Sequence, residues 1–348
     1  MKKIFTRYGD GTPTALNQEE LKKELSAGTM DAAERGKIPV LSEEELGHLF
    51  DIFSAKDRFV SVEPGREIVL SYDGAPIKMA RANISVDRLQ SLQIYEKLMG
   101  ADTLEMGHID YSFKPIKPIV GYEEPLLEQA LMVTTAPIIY GAMPNLGLYS
   151  QPDGPFPNPA ELLPMGKIRE AQQAYEAAVE EAVKDIVYVA GRMHESGADG
   201  IMLDTVGAAG DADMLAGLKA TELLKKKYPD MCIEMGAAGE FVLGLHGQLE
   251  YNGVRLAGLY MHDLVKVAEA AGVTIFGPVV NTNTTKTVPY NVARAVTFTK
   301  ACSEASRIPI HANMGMGVGA VTVNDYPPID TTSRASKAMV EICRLDGL

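Results

Sequence analysis

Six short apolar runs, each ending in polar residues and separated from the next by helical sequence, constrain this chain most. They are TLEMGHID (103–110), PIIYGAMPN (137–145), GIMLDTVGAAGD (200–211), MCIEMGAAGE (231–240), VTIFGPVVNTNT (273–284) and IPIHANMGMG (308–317). Strand alternating with helix implies a parallel sheet, because parallel neighbours need a crossover long enough to hold a helix. The clearest helix covers 164–196, where Ile168, Ala171, Tyr175, Ala178, Ala182, Ile186 and Val189 recur at three- and four-residue steps. Such a stripe faces a sheet. Six units fit either a doubly wound sheet or an incomplete barrel.

The final residues decide between them. AMVEICRLDGL reads as a helix, a short turn and the first step of a strand, the pattern that VAGRMHESGADGIMLDT completes earlier in the chain. A seventh unit is therefore begun. The expected fold is α/β, a TIM-type (β/α)8 barrel that is incomplete, with about six βα units plus the start of the seventh. It occupies 84–348 and follows an N-terminal α+β extension, 1–83. The extension holds short helices at 17–25 and 42–53, where Ser42 and Glu45 have capping-box spacing, and short alternating strands between 58 and 79. An open barrel edge leaves strand groups unpaired, so self-association into a homo-oligomer is expected.

Charge excludes one class of partner. The chain has 33 basic and 46 acidic residues, a net charge of −13, and so lacks the basic footprint that nucleic acid requires. MKKIFTRYGDGTP has no apolar run behind its lysines, and nothing reaches the roughly 18–20 apolar residues of a membrane helix. Three scattered cysteines, Cys232, Cys302 and Cys343, fit reduced thiols. A cytoplasmic protein without membrane contact is expected.

Polar residues at the C-terminal ends of parallel strands are where barrel enzymes place their chemistry. Here those ends carry Glu105, His108 and Asp110, then Asn145, Asp204, Glu234 and Glu240, Asn281 and Asn283, and finally His311 and Asn313. Glu234 lies among Ile, Met and Ala, where desolvation raises a carboxyl pKa and suits proton transfer; the alternative is a structural acid capping the next helix. Asp204 closes GIMLD in the same way, whereas Asp211 and Asp213 precede a helix and read as caps. Glu234, Asp204, Glu240 and His311 are the catalytic candidates; His108, Asp110, Asn145, Asn281, Asn283 and Asn313 are candidates for the cavity wall. His246 sits in a Gly-rich loop with no evident partner. No H-E-x-x-H or C-x-x-C pattern occurs, so no metal site is expected. GMGVG (315–319) is not followed by helical sequence and so reads as a flexible loop rather than a dinucleotide cradle. The proline-rich stretch 144–164 reads as an ordered lid or partner surface.

Several long strings, among them MGADTLEMGHIDYSFKPIKPIV, YGAMPNLGLYSQPDGPFPNP, SGADGIMLDTVGAAGDADM, IEMGAAGEFVLGLHG, FGPVVNTNTTKT and PPIDTTSRASKAMVEI, resemble the dimethylamine–corrinoid protein methyltransferases across nearly the whole chain. The resemblance implies methyl transfer from dimethylamine to the Co(I) of a separate corrinoid protein, leaving monomethylamine. The corrinoid is carried by that partner, and no cofactor is bound by this chain. It also implies a pyrrolysine immediately after Leu348, whose ring imine adds the amine and orients its methyl group. The 348-residue form is accordingly expected to stop one residue short of it and to be inactive. Two other readings stay open: a pyrrolysine-independent corrinoid methyltransferase for another small methylated amine, and a non-catalytic barrel that binds a corrinoid protein.

Overall fold

The computed structural model describes residues 3–79, 82–107, 114–244 and 248–348. The strand–helix alternation folds into one parallel sheet. Its strands are Ser71–Asp73, Thr103–Met106, Ile138–Gly141, Gly200–Val206, Cys232–Ala237 and Ile275–Gly277, each pairing with the next in chain order. Leu104, Met106, Ile138, Tyr140, Ile201, Leu203, Ile233, Met235 and Phe276 are all buried. Both faces of this sheet are covered, so its strands read as nearly continuous apolar runs.

As a regular sheet the barrel is incomplete, as expected, and single bridges span the gap. Phe276 pairs parallel with Ile310, His311 with Gly347, and Gly347 with Val69, just ahead of the first strand. The backbone bonds are ordinary: His311 N–H to Phe276 O at 3.0 Å, Ala312 N–H to Gly347 O at 3.1 Å, Leu348 N–H to Val69 O at 3.0 Å and Ser71 N–H to Leu348 O at 2.8 Å. The hydrogen-bonded circuit thus returns to its start. The difference from the sequence count is one strand. Ser71–Asp73 holds the first position, so residues 346–348 occupy the eighth place and not the seventh. The edge behind the expected self-association is paired through Val69 and Ser71.

Ser71–Asp73 lies upstream of residue 83, and Arg88–Leu98 is the helix that follows it. Ahead of this strand stand an antiparallel hairpin, Ile4–Arg7 with Pro13–Leu16, and two helices, Gln18–Gly36 and Glu43–Ser54. Both helices start with capping boxes, Asn17 with Glu20 and Ser42 with Glu45. The first packs on Val288–Ala305 so closely that a Cβ on Gly28 would lie 2.2 Å from Tyr290 O. Arg294 fixes the contact by pairing with Asp31 at 2.8 Å.

The long helix runs Ile168–Glu195. Ala171, Ala178, Ala182, Ile186 and Val189 of its stripe are buried, while Ile168 is exposed at the helix start. The last helix, Ile329–Ala338, continues into a π-helical turn, Met339–Cys343, which Arg344 ends at φ 55°. That turn delivers Asp346, Gly347 and Leu348 into the ring. The 144–164 stretch is held by close contacts. Tyr149 donates to Asp185 at 2.5 Å, and Gly154 passes so near Tyr149 that a Cβ would sit 2.0 Å from its carbonyl carbon. No helix among the described residues is long and apolar enough to cross a membrane.

Candidate active site

The strand ends converge on a cavity of about 580 Å³. Its wall carries Asp73, Glu105, Asp204, Glu234, His311 and Asn313, together with Ser71 and Leu348. Each polar group stands on a different strand or strand position, so the ring of strands sets their spacing. Gly236 helps to admit Asp204: a Cβ there would lie 3.3 Å from Asp204 Oδ1 and 3.2 Å from Met202 Cε. Asp213 anchors the loop beyond Asp204 by accepting from Gly207 N–H at 2.9 Å. Burial lifts the Asp213 carboxyl to about 6 against the lowering pull of the loop amides.

The deepest pair is Glu234 with His311. Glu234 is 2% exposed and accepts from His311 Nδ1. On the other edge of the ring, His311 Nε2 meets Ser71 Oγ at 2.8 Å. Burial by itself depresses the imidazole. The hydrogen bond and charge of Glu234 outweigh it, the Leu348 backbone adds to them, and the His311 pKa stands above its ordinary value.

Glu105 shows the electrostatic character of the cavity. Burial raises its carboxyl pKa, and the charges of Asp73, Asp204 and Glu234 push it further, well above the usual carboxylate range. Five carboxylates, Glu67 at the rim among them, face one imidazole and make a site that favours a cation. The sign of the linkage follows. A raised folded-state pKa gives Glu105 a stabilising contribution that is complete below the carboxyl's ordinary value and is lost as pH rises through the raised one. Glu105→Gln cannot ionise, so its melting temperature should match wild type near pH 4 and exceed it by a few degrees at pH 8. Thermal melts at the two pH values measure this; a variant less stable at pH 8 would show that the charged form is the one the fold needs.

The structure brings Asp204, Glu234, His311 and Asn313 together at this cavity. The other candidates among the described residues stand apart from its wall. Glu240 pairs with Arg294 at 2.6 Å. Asn145 caps the turn Leu146–Tyr149 by accepting from Gly147 N–H. Asn283 holds Thr285 and Asn291, and the Asn281 carbonyl accepts from Arg294. These are turn, cap and ion-pair roles. His108, Asp110 and His246 lie outside the described residues. Sequence reasoning missed Ser71 and Asp73, although SYDG (71–74) has the strand-end signature of the other six. Among the described residues no group of three or more His, Cys, Asp and Glu is placed to hold a metal ion.

A family model described as dimethylamine methyltransferase matches residues 2–348. Solved structures give weaker likenesses. A dihydropteroate synthase from Xanthomonas albilineans is 13% identical over 80% of this chain and 84% of that one, at a TM-score of 0.38. A putative deoxyribose-phosphate aldolase from Coccidioides immitis is 11% identical over 94% and 97%, also at 0.38. The carboxyl transferase domain of Rhizobium etli pyruvate carboxylase is 12% identical over 95% and 50%, at 0.41. At these scores the fold rests on the strand pairing alone.

Proposed function

The chain belongs to the dimethylamine methyltransferase family, and from that premise we propose that it moves a methyl group from dimethylamine to the Co(I) of a separate corrinoid protein, leaving monomethylamine. The observation that carries the reading is the carboxylate-lined cavity at the strand ends. Dimethylamine is a cation at neutral pH. Asp73, Asp204 and Glu234 attract that cation, whose arrival favours ionisation of Glu105, and together they fix its orientation, which lowers the entropic part of the barrier. When the C–N bond breaks, its electron pair stays on nitrogen. Nitrogen must therefore carry its proton through the step, so that a neutral amine leaves. The Glu234–His311 pair sits where it can supply and hold that proton. The corrinoid of the partner protein supplies the nucleophile that takes the methyl group.

Substrate range tests this reading. With a corrinoid partner reduced to Co(I), cobalt absorbance should change with dimethylamine and stay flat with monomethylamine and trimethylamine. Equal turnover of all three would contradict the assignment.

A further inference from the structure

We infer that Ser71 is a positioning residue whose hydroxyl couples the His311–Glu234 pair to the carbonyl of Leu348 at the tip of the last barrel strand. Four contacts carry this. The Glu234 carboxylate can only accept from a protonated Nδ1, which fixes that ring nitrogen as a donor. Nε2 then faces Ser71 Oγ at 2.8 Å. Ser71 Oγ also lies 3.4 Å from Leu348 O, and Ser71 N–H holds the same carbonyl at 2.8 Å.

The hydroxyl has one proton and two claims on it. When His311 is neutral, the hydroxyl donates to Nε2. When His311 is charged, Nε2–H donates to Ser71 Oγ, and the hydroxyl proton is free to turn to the Leu348 carbonyl. Charging the imidazole therefore adds a hydrogen bond at the strand tip that borders the amine cavity. Gly347 keeps the ring in place: a Cβ there would lie 2.9 Å from His311 Cδ2. The order Glu–His–Ser is also that of a nucleophilic triad. Here, however, the hydroxyl is shared with a carbonyl of its own chain, so the arrangement serves to place a proton.

Other charges face His311 from each neighbouring strand: Glu234 directly, and Asp204, Glu105, Asp73 and Glu67 from around the cavity wall. Asp346 lies behind it, with its carboxylate on Ile310 N–H at 2.9 Å. All of them are carboxylates, so they set the baseline that every Ser71 variant shares. Hydrogen bonds from a charged donor are stronger than neutral ones. Removing the hydroxyl thus costs the charged imidazole more than the neutral one.

The bearing on proton delivery rests on the methyl-transfer reading, but the test does not. Histidine 13Cε1 signals of the full chain are titrated by NMR, with His311→Asn identifying the His311 peak among the six histidines. Ser71→Ala should lower the His311 midpoint by about one pH unit and leave the other histidines unmoved, while Ser71→Thr should keep the wild-type value. If Ser71→Ala does not fold, Ser71→Cys, a weak donor and acceptor of similar shape, should lower the midpoint in its place. An unchanged midpoint in Ser71→Ala, or a shift in Ser71→Thr as large as in Ser71→Ala, would overturn the inference. Because no amine or partner is present, either result leaves the methyl-transfer reading to stand or fall by its own assay.

Discussion

Glu234→Gln is expected to slow methyl transfer by about 10²–10⁴-fold while the barrel stays folded. Glutamine keeps the volume of the side chain and can still accept from His311 Nδ1 through its carbonyl oxygen. It removes the charge that holds the His311 pKa above its ordinary value, which burial alone would depress. The imidazole then becomes neutral over the working pH range, and the cavity loses one of five carboxylates. The effect should fall mainly on kcat, since Asp73 and Asp204 remain to attract the cation. The alkaline limb of the rate profile should also move to lower pH, because an imidazole with a lower pKa gives up its proton earlier as pH rises. Rates over pH 5.5–9 measure both effects; an unshifted profile with a normal kcat would place the proton elsewhere.

The largest stability effect is expected away from the cavity. Arg88, on Arg88–Leu98, meets Glu123 of the next helix, Ile116–Val133, at 2.5 Å, and Tyr140 of the third strand donates to the same carboxylate oxygen at 3.1 Å. Glu123 is fully buried, and its second oxygen has no partner. Arg88→Met would leave a buried carboxylate with only a phenol for company, which costs about 3–5 kcal/mol. Burial, then the Glu123 charge, pushes the Tyr140 pKa far above its ordinary value, so the phenol stays a donor but supplies no charge. Arg88→Met/Glu123→Leu removes both charges and should recover most of the loss. Urea unfolding of the three proteins decides it. A single variant within about 1 kcal/mol of wild type would mean that the Arg88–Glu123 contact adds little to the fold.

How much of this was legible in the sequence depends on length and distance along the chain. The long helix, the Ser42–Glu45 capping box and five of the six regular strands follow from periodicity and local chemistry. Ser71–Asp73 did not, because three residues in an alternating stretch give no apolar run to count. Closure of the ring did not either: Ile310, His311 and Gly347 join it through single backbone bridges, which leave no pattern in side chains. Asp204, Glu234, His311 and Asn313 were readable as strand ends. Glu240, Asn145, Asn281 and Asn283 look the same in sequence, since carboxylates and amides also cap helices, close turns and pair with buried arginines. Arg294, 54 residues beyond Glu240, is what separates Glu240 from Glu234. For Ser71 the only local signal was the strand-end pattern SYDG (71–74), and its partner, His311, lies 240 residues away.

The central claim is that the amine is demethylated in the cavity around Glu234 and His311. A single-turnover assay of cobalt absorbance, with dimethylamine and a Co(I) corrinoid partner, tests it most directly when Glu234→Gln and Glu240→Gln are compared with the wild-type protein. Glu240→Gln should transfer methyl at close to the wild-type rate, and Glu234→Gln should be slowed about a hundredfold or more. The reverse order, with Glu234→Gln near wild type and Glu240→Gln silent, would contradict the claim and move the site to the Arg294 side of the strand ends.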